Sequence, residues 1–352
     1  MNAPETRIGI VVVAVALAAC GGSAPPAQTG GAGPSAAEAL PESKPPPAPA
    51  PASAEVTAGL KAFDAGNYAE ARRSFEAATL KNAQDYAAFL DLGQACEKLG
   101  DVPAAEAAYK SALALQSDLE PAAAELATLY AGDGHPEEAM AVARSALKAH
   151  PGSGPLHAAL AIALAVHGDQ DPSMQEFEQA IKATPGDAML QYTFASYLNQ
   201  WKIKGAAAHL DAALSLVKDD YAMIVSIGHE YRMAGDFAGC ERALDRAIGM
   251  KDGGEARTER ALCKVGLKDD AGALADLQAG VAAEPGYAPG HYYLAGRLAT
   301  GKRFKEAAAE YQKVLDLAPN GSLAKSAADR LKMAQDAAAH DRGAVAPPKK
   351  KK

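Results

Sequence analysis

From residue 52 onward, small and apolar residues recur at helical spacing, and glycine or proline interrupts them at regular intervals. Apolar positions that repeat every three or four residues predict amphipathic helices. Runs of Val, Ile and Thr, which would indicate strands, are almost absent after the first twenty residues. The pattern therefore predicts an all-α fold.

Turn residues that precede the second helix of each unit reveal an internal repeat. Four glycines recur every 34 residues, at Gly66, Gly100, Gly134 and Gly168. A glycine permits the positive φ that often ends a helix. We predict eight two-helix units, at residues 52–85, 86–119, 120–153, 154–187, 188–220, 221–253, 254–287 and 288–321.

Several positions within each unit resemble the tetratricopeptide repeat. Second helices carry a small residue at Ala71, Ala105, Ala139 and Ala307. A large residue follows four positions later, at Phe75, Tyr109, Phe177, Leu244 and Tyr311. Prolines close units at Pro151, Pro185, Pro285 and Pro319. The resemblance implies an all-α solenoid over residues 52–338, a right-handed superhelix of about eight helical hairpins.

A helix over residues 322–338 is expected to cap this solenoid, because an open end needs a polar outer face. Its apolar face would hold Leu323, Ala327, Leu331 and Ala334.

Some units depart from the pattern, and there we expect the packing to deviate. Unit one lacks the large residue early in its first helix, and unit five carries Trp201 in place of the turn glycine. Unit seven is the poorest match, with Arg257, Arg260 and Lys264 on its first helix.

The N-terminus predicts export and lipidation. Arg7 precedes an uncharged apolar run at residues 8–19, which is too short to span a bilayer and is typical of a signal peptide. The sequence from Leu17 to Gly21 resembles the lipobox of bacterial lipoproteins. That resemblance implies a cleaved signal peptide at residues 1–19 and a diacylglycerol and N-acyl chain on Cys20, with no other cofactor. An ordinary secretory signal or an uncleaved anchor are the alternatives.

The residue after Cys20 is Gly21 and not Asp, which by the same resemblance favours the outer membrane, facing the periplasm. In a host with one membrane, the predicted location is the surface of the cell membrane. Residues 20–51, rich in Pro, Ala and Gly, predict a disordered tether that reaches up to about 90 Å. Residues 339–352 predict a disordered basic tail that ends in Lys349–Lys352, either solvated or in contact with an anionic surface.

The net charge of the chain excludes one class of partner. The net charge of −8 argues against a nucleic-acid partner, because the folded part would repel phosphate.

Besides Cys20, the chain has Cys96, Cys240 and Cys263, all within helical patterns. We therefore predict free, buried cysteines and no disulfide framework.

The sequence contains no motif for catalysis: no phosphate-binding loop, no G-x-S-x-G and no H-E-x-x-H. His150 with His157 and His209 with His229 lack further ligands at close helical spacing, so no metal site is predicted. We expect neither an enzyme nor a small-molecule substrate.

In tetratricopeptide proteins, first helices line a concave groove at about the second, fifth, ninth and twelfth positions of each unit. Carried onto this chain, those positions give the candidate partner-binding residues Gln94, Glu97, Tyr192, Ser196, Asn199, His229, Arg232 and Tyr292. This polar and aromatic set suits an extended peptide or a helix. The Asn, Lys and Arg set with which some family members clamp a C-terminal carboxylate is not recognisable.

The resemblance therefore implies an envelope lipoprotein that acts as a scaffold or assembly factor for protein partners. The alternative is a component of exopolysaccharide export or synthesis, with Tyr192, Trp201 and Tyr292 stacking on sugar rings. An adaptor should co-purify with a stoichiometric protein partner after detergent extraction, whereas a polysaccharide-export component should bind a sugar polymer.

Overall fold

The computed structural model describes residues 53–344, with side chains up to residue 340. The predicted signal peptide, Cys20, the tether to residue 51 and Lys349–Lys352 lie outside the described residues. Between residues 53 and 344 the chain forms seventeen α-helices and no strand, which confirms the all-α prediction. No helix in this range is both long and apolar enough to cross a membrane.

The helices divide between two compact units that meet at Ala183 and Thr184. The first unit contains α1 (Ala54–Asp64), α2 (Tyr68–Lys81), α3 (Tyr86–Lys98), α4 (Val102–Leu115), α5 (Glu120–Gly132), α6 (Pro136–Leu147), α7 (Gly154–His167) and α8 (Gln170–Ala183). Each odd-numbered helix packs on the next even-numbered one, so the unit is four successive hairpins.

The second unit contains α9 (Ala188–Trp201), α10 (Ala206–Leu216), α11 (Tyr221–Met233), α12 (Phe237–Met250), α13 (Gly254–Gly266), α14 (Asp270–Ala283), α15 (Ala288–Thr300), α16 (Phe304–Leu317) and α17 (Ala324–Ala344). These helices again form four successive hairpins, which α17 follows. The first helices α9, α11, α13 and α15 contact one another in series. That series creates one continuous surface of first helices within this unit.

Small residues of one helix receive large residues of its hairpin partner, as the repeat pattern predicts. A Cβ added to Gly93 would lie 2.4 Å from the Tyr109 ring, and one added to Gly228 would lie 2.7 Å from Leu244. The rings and branched chains that fill these spaces are fully buried. Close approach of these side chains to the glycine backbone therefore sets the geometry of the hairpin.

The predicted turn glycines adopt positive φ, with values of 75°, 73°, 82° and 104° at Gly66, Gly100, Gly134 and Gly168. In unit five, the prediction that Trp201 replaces the turn glycine is wrong. Trp201 is the last residue of α9, and Lys202 takes the left-handed conformation at φ 59°. The interval of 34 residues from Gly168 leads to residue 202, so the turn keeps the repeat interval and lysine stands where the first four units have glycine.

Replacing Lys202 with glycine should stabilise the protein by about 1 kcal/mol, because an L-residue pays a steric cost in the left-handed region that glycine avoids. The thermal midpoint should rise by about 2–4 °C. The matched control is Lys148→Gly, since Lys148 also follows a helix but has φ −64°. There glycine should lower the midpoint. Equal shifts in both variants would contradict the steric argument.

In unit seven, charged side chains lie at the interface between α13 and α14. Arg260 and Lys264 of α13 contact Asp276 of α14, with Arg260 Nε 2.8 Å and Lys264 Nζ 2.9 Å from Asp276 Oδ2. Arg257 Nη1 lies 3.5 Å from the other carboxylate oxygen. The side chain of Asp276 is only 5% exposed. The three cations that weakened the match of this unit therefore share one buried counter-ion.

Cysteine pairing is where the sequence prediction was wrong. Cys240 of α12 and Cys263 of α13 form a disulfide with their Cα atoms 6.2 Å apart, and Cys96 is free and buried. The odd count permits one pair and one free thiol. Packing of α12 on α13 brings the two cysteines together across the boundary between neighbouring hairpins.

Two histidines bridge successive elements in the same way, one in each unit. His157 Nε2 donates to the carbonyl of Pro151 at 3.0 Å, and its Nδ1 lies 2.5 Å from Glu176 Oε2. His291 makes the equivalent contacts with the carbonyl of Pro285, at 2.9 Å, and with Glu310. These contacts tie a first helix to its partner helix and to the preceding turn.

The C-terminal helix caps the second unit. Ala327 and Ala334 are buried, and Leu323 and Leu331 pack against the same cluster, as predicted. Helix α17 begins at Ala324 and continues past residue 338 to Ala344. Its packing on α16 covers the apolar end of the last hairpin.

Candidate partner-binding surface

Three successive first helices of the second unit contribute side chains to one pocket of about 170 Å³. Helix α9 provides Tyr192, α11 provides Val225, Ser226 and His229, and α13 provides Glu255 and Glu259. We call it the α9–α13 pocket. Its walls combine an aromatic ring, an apolar side chain and two carboxylates, so it can contact both apolar and cationic groups.

One wall of the pocket is an ordered group of His229, Arg232 and Glu259. Arg232 Nε donates to Glu259 Oε2 at 3.1 Å, and Arg232 Nη2 lies 3.0 Å from His229 Nδ1. Because a guanidinium can only donate, the Nδ1 atom accepts this hydrogen bond. Burial raises the pKa of Glu259, but His229 and Arg232 outweigh it and the pKa is lowered. Glu259 is therefore negatively charged at neutral pH.

The predicted residues Ser196 and Asn199 of α9 bind within the chain. Ser196 Oγ donates to Glu230 Oε1 at 3.0 Å, and Asn199 Nδ2 donates to Glu230 Oε2 at 2.7 Å. Asn199 Nδ2 also lies 2.9 Å from the backbone oxygen of Glu230. These bonds fix α9 against α11 and so hold the two helices that carry the pocket.

The two predicted tyrosines have different surroundings. Tyr192 lines the pocket, and burial together with the nearby Glu230 raises its pKa to about 12. Tyr292 instead contacts the cap, where its hydroxyl lies 2.7 Å from Ser326 Oγ and its ring lies 5.6 Å from the Arg330 guanidinium. Tyr292 therefore helps to dock α17, and it is not one of the residues that line the pocket.

The predicted residues of the first unit, Gln94 and Glu97, lie beside other acidic groups on α3 and α5. Glu97 Oε2 accepts a hydrogen bond from the Tyr109 hydroxyl at 3.0 Å. Burial and the charge of Glu97 raise the pKa of Glu125 to about 7, although a hydrogen bond from Gln94 opposes this. Burial likewise raises the pKa of Asp91 to about 6. In the first unit, the positive charge near these carboxyl groups is therefore too small to offset the effect of burial on their pKa values.

Glu125 should make stability depend on pH. A carboxyl group whose folded pKa is raised keeps its proton longer in the folded state, so stability is lost as the pH rises from about 4.5 to about 7. Glu125→Gln should therefore stabilise the protein at pH 8 by about 1–3 kcal/mol and flatten this slope. Urea unfolding at pH 5 and pH 8 measures both effects.

The matched control for this pH effect is Glu120→Gln, which changes a carboxyl group on the same helix, α5. It should leave the slope between pH 5 and pH 8 in place. An unchanged slope in Glu125→Gln would contradict the assignment to Glu125.

Sequence reasoning missed three carboxylates: Glu230, Glu255 and Glu259. A signal was present, since Glu255 is the second residue of unit seven and Glu259 follows one helical turn later on the same face. Glu230 follows His229 directly, and its role in holding Ser196 and Asn199 depends on the neighbouring hairpin. Between residues 53 and 340, no group of three or more His, Cys, Asp or Glu side chains could hold a metal ion.

Comparison with known proteins identifies the repeats. Two tetratricopeptide repeat models match residues 56–120 and 120–163. Residues 56–163 therefore carry tetratricopeptide repeats, and the described part of the chain is an all-α repeat solenoid. No curated protein matches the sequence significantly.

Several solved structures are similar to this chain at low sequence identity. Yeast Tom70 is 15% identical, with a TM-score of 0.50, and the match covers 82% of this chain and 64% of that one. A chain of the APC/C hetero-tetramer Cut9–Hcn1 is 14% identical, with a TM-score of 0.48 over 76% of this chain and 52% of that one. A tetratricopeptide repeat protein from Parabacteroides merdae is 17% identical, with a TM-score of 0.47 over 71% and 99%. The chain thus spans about half to two thirds of the first two.

Proposed function

We propose that this chain is a scaffold or assembly factor that binds a protein partner on the first helices of its second unit. The observation that carries the proposal is the α9–α13 pocket, to which three successive hairpins contribute. A surface built from several repeats suits an extended peptide or a helix, which contacts each hairpin in turn. The proposal assigns binding and not catalysis to the chain, in keeping with the general role of tetratricopeptide proteins.

The internal bonds of this surface favour binding without large rearrangement. Glu230 holds Ser196 and Asn199, and Arg232 holds Glu259, so the groups around the pocket are already oriented. Preorganised side chains lose less conformational entropy when a partner binds. His229 remains 45% exposed and can contact the partner directly.

We further propose that the protein is an exported lipoprotein, anchored by acyl chains on Cys20 to the outer membrane and facing the periplasm. The apolar run and the sequence around Cys20 support this, as does the disulfide between Cys240 and Cys263, because disulfides persist mainly in oxidising compartments. In a host with a single membrane, the same anchor would place the protein on the outer surface of the cell membrane.

The polysaccharide alternative is not favoured. Saccharide stacking needs neighbouring exposed rings, whereas Tyr192 lines the pocket and Tyr292 packs against α17. Trp201 stacks on Tyr197 at the end of α9, with ring centroids 5.4 Å apart. The three candidate rings therefore do not form one platform.

Photo-crosslinking tests the scaffold function. A photoreactive phenylalanine analogue replaces Ser226 in the pocket of the full chain, and irradiation of intact cells follows. We expect one dominant crosslinked protein. The matched control places the analogue at Gln278, an exposed residue of α14. Equal products from both positions, or none from Ser226, would reject the pocket as the partner-binding surface.

Lipidation is tested by metabolic labelling with an alkyne fatty acid. The wild-type chain should incorporate label and partition with membranes, and Cys20→Ser should do neither. Cys96→Ser is the matched control, because Cys96 is buried and should have no part in lipidation. Full label in Cys20→Ser would overturn the anchor.

A further inference from the structure

We propose that the α9–α13 pocket receives one basic side chain, an arginine or a lysine, from the protein partner. This inference rests on the proposed scaffold function and specifies the chemistry of the partner. It differs from the acidic C-terminus that a carboxylate clamp would select.

The charges that line the pocket favour a cation. Glu255 and Glu259 both line it, whereas the nearby Arg232 is already paired with Glu259 at 3.1 Å. Glu255 is exposed and forms no ion pair with any other described residue. Glu259 is also 3.4 Å from His229 Nδ1, so the charge of Glu255 is the one left without a counter-ion, and an incoming cation would neutralise it.

The walls of the pocket match the shape of a long basic side chain. Val225 is buried and apolar, and the Tyr192 ring lies on the α9 side. Arginine and lysine bury their methylene stems against such surfaces while the charged group reaches carboxylates or the face of an aromatic ring. A pocket of about 170 Å³ admits one side chain but no helix, whose diameter is about 10–12 Å.

Acidic or uncharged partners fit these groups less well. A carboxylate in the pocket would lie near Glu255 and Glu259, and like charges at close range are destabilising. An apolar side chain would bury Glu255 without giving it a partner. The basic side chain is the option that satisfies both the carboxylates and the apolar wall.

The test titrates the full, detergent-solubilised chain, labelled with 3-fluorotyrosine, with acetyl-Ala-Arg-Ala-amide and with the same peptide containing citrulline. Citrulline has the shape of arginine but no charge. Fluorine NMR follows the Tyr192 signal, which the Tyr192→Phe variant identifies. We expect the arginine peptide to shift this signal saturably and the citrulline peptide to leave it unchanged.

Glu255→Gln should weaken binding of the arginine peptide about three- to tenfold, since one charged contact is lost. Glu306→Gln, on α16 outside the pocket, is the matched control and should leave the affinity unchanged. Raising the salt from 20 to 300 mM should also weaken binding.

Equal shifts with both peptides, or no shift of the Tyr192 signal, would overturn the inference. The scaffold function has a separate readout: if Ser226 still crosslinks a partner, only the specificity for a basic side chain fails. If the arginine peptide binds and Ser226 crosslinks nothing, the pocket binds a basic side chain but is rejected as the partner-binding surface, and the scaffold function fails.

Discussion

Asp276→Asn should destabilise the second unit by about 3–5 kcal/mol, because it removes a buried charge that three half-buried cations share. Arg260 and Lys264 each lie within 3 Å of this carboxylate, and their side chains are only 16% exposed. Replacing the carboxylate by an amide keeps the shape but removes the buried counter-ion of these cations, whose other partners, Asp252, Asp245 and Glu241, are more exposed. The change in the urea midpoint, followed by circular dichroism, measures the loss.

Asp245→Asn is the matched control for this prediction. Asp245 also binds Arg260, at 2.5 Å, but its side chain is 58% exposed, so its removal should cost at most about 1 kcal/mol. Similar losses in the two variants would contradict the role of burial. Replacing Arg257, Arg260, Lys264 and Asp276 together by leucine or methionine should recover the stability lost by Asp276→Asn. Apolar side chains of similar volume can pack in the core without a desolvation cost, whereas cations that have lost their buried partner cannot.

The sign of the pH dependence offers a second check on Asp276. Burial raises its pKa, but Arg260 and Lys264 outweigh burial, and the pKa is lowered in the folded state. The stabilisation is therefore complete above the unfolded pKa of about 3.9 and is lost as the pH falls through the lower folded value. The difference between wild type and Asp276→Asn should shrink over that acidic range and stay constant between pH 5 and pH 8.

The period of the chain was predictable because each hairpin obeys local rules. Glycine ends first helices at positive φ, and small residues such as Gly93 receive rings such as Tyr109. These requirements lie within a single unit, so they appear directly in the sequence. The prediction failed at Trp201, because the turn stays on the repeat interval at Lys202, where no glycine marks it.

Side-chain contacts that depend on how two helices pack were less predictable than the repeat itself. Arg257, Arg260 and Lys264 share one face of α13, but only the position of α14 shows that Asp276 lies opposite them. Likewise, the pairing of Cys240 with Cys263 depends on how α12 packs on α13. Such pairs need the register between helices, which the repeat length alone does not fix.

The candidate surface was predictable in position but not in detail. Of the residues that the family pattern selects, Tyr192 and His229 line the pocket. It did not distinguish them from Ser196 and Asn199, whose donors are taken by Glu230, or from Tyr292, which docks the cap. Partners inside the chain compete with partners outside it, and only the three-dimensional arrangement shows which contact is made.

Loss of the disulfide should have the second large effect. Cys240 and Cys263 close a loop with a sequence separation of 23, and restricting such a loop in the unfolded chain stabilises the folded state by about 3 kcal/mol. Cys240→Ala combined with Cys263→Ala should therefore lower the urea midpoint, and so should reduction of the wild-type chain with dithiothreitol. Protein made in a reducing compartment should behave as the reduced form does until it is oxidised.

Cys96→Ala separates the effect of the crosslink from that of a lost buried sulfur. Cys96 is buried and free, so this variant should lose only the packing of one small side chain and should respond to dithiothreitol as strongly as wild type does. The double alanine variant should not respond at all. If the reductant leaves the wild-type midpoint unchanged although mass spectrometry shows free thiols, the crosslink between α12 and α13 contributes nothing to stability. The argument from loop entropy would then be wrong for this pair of hairpins.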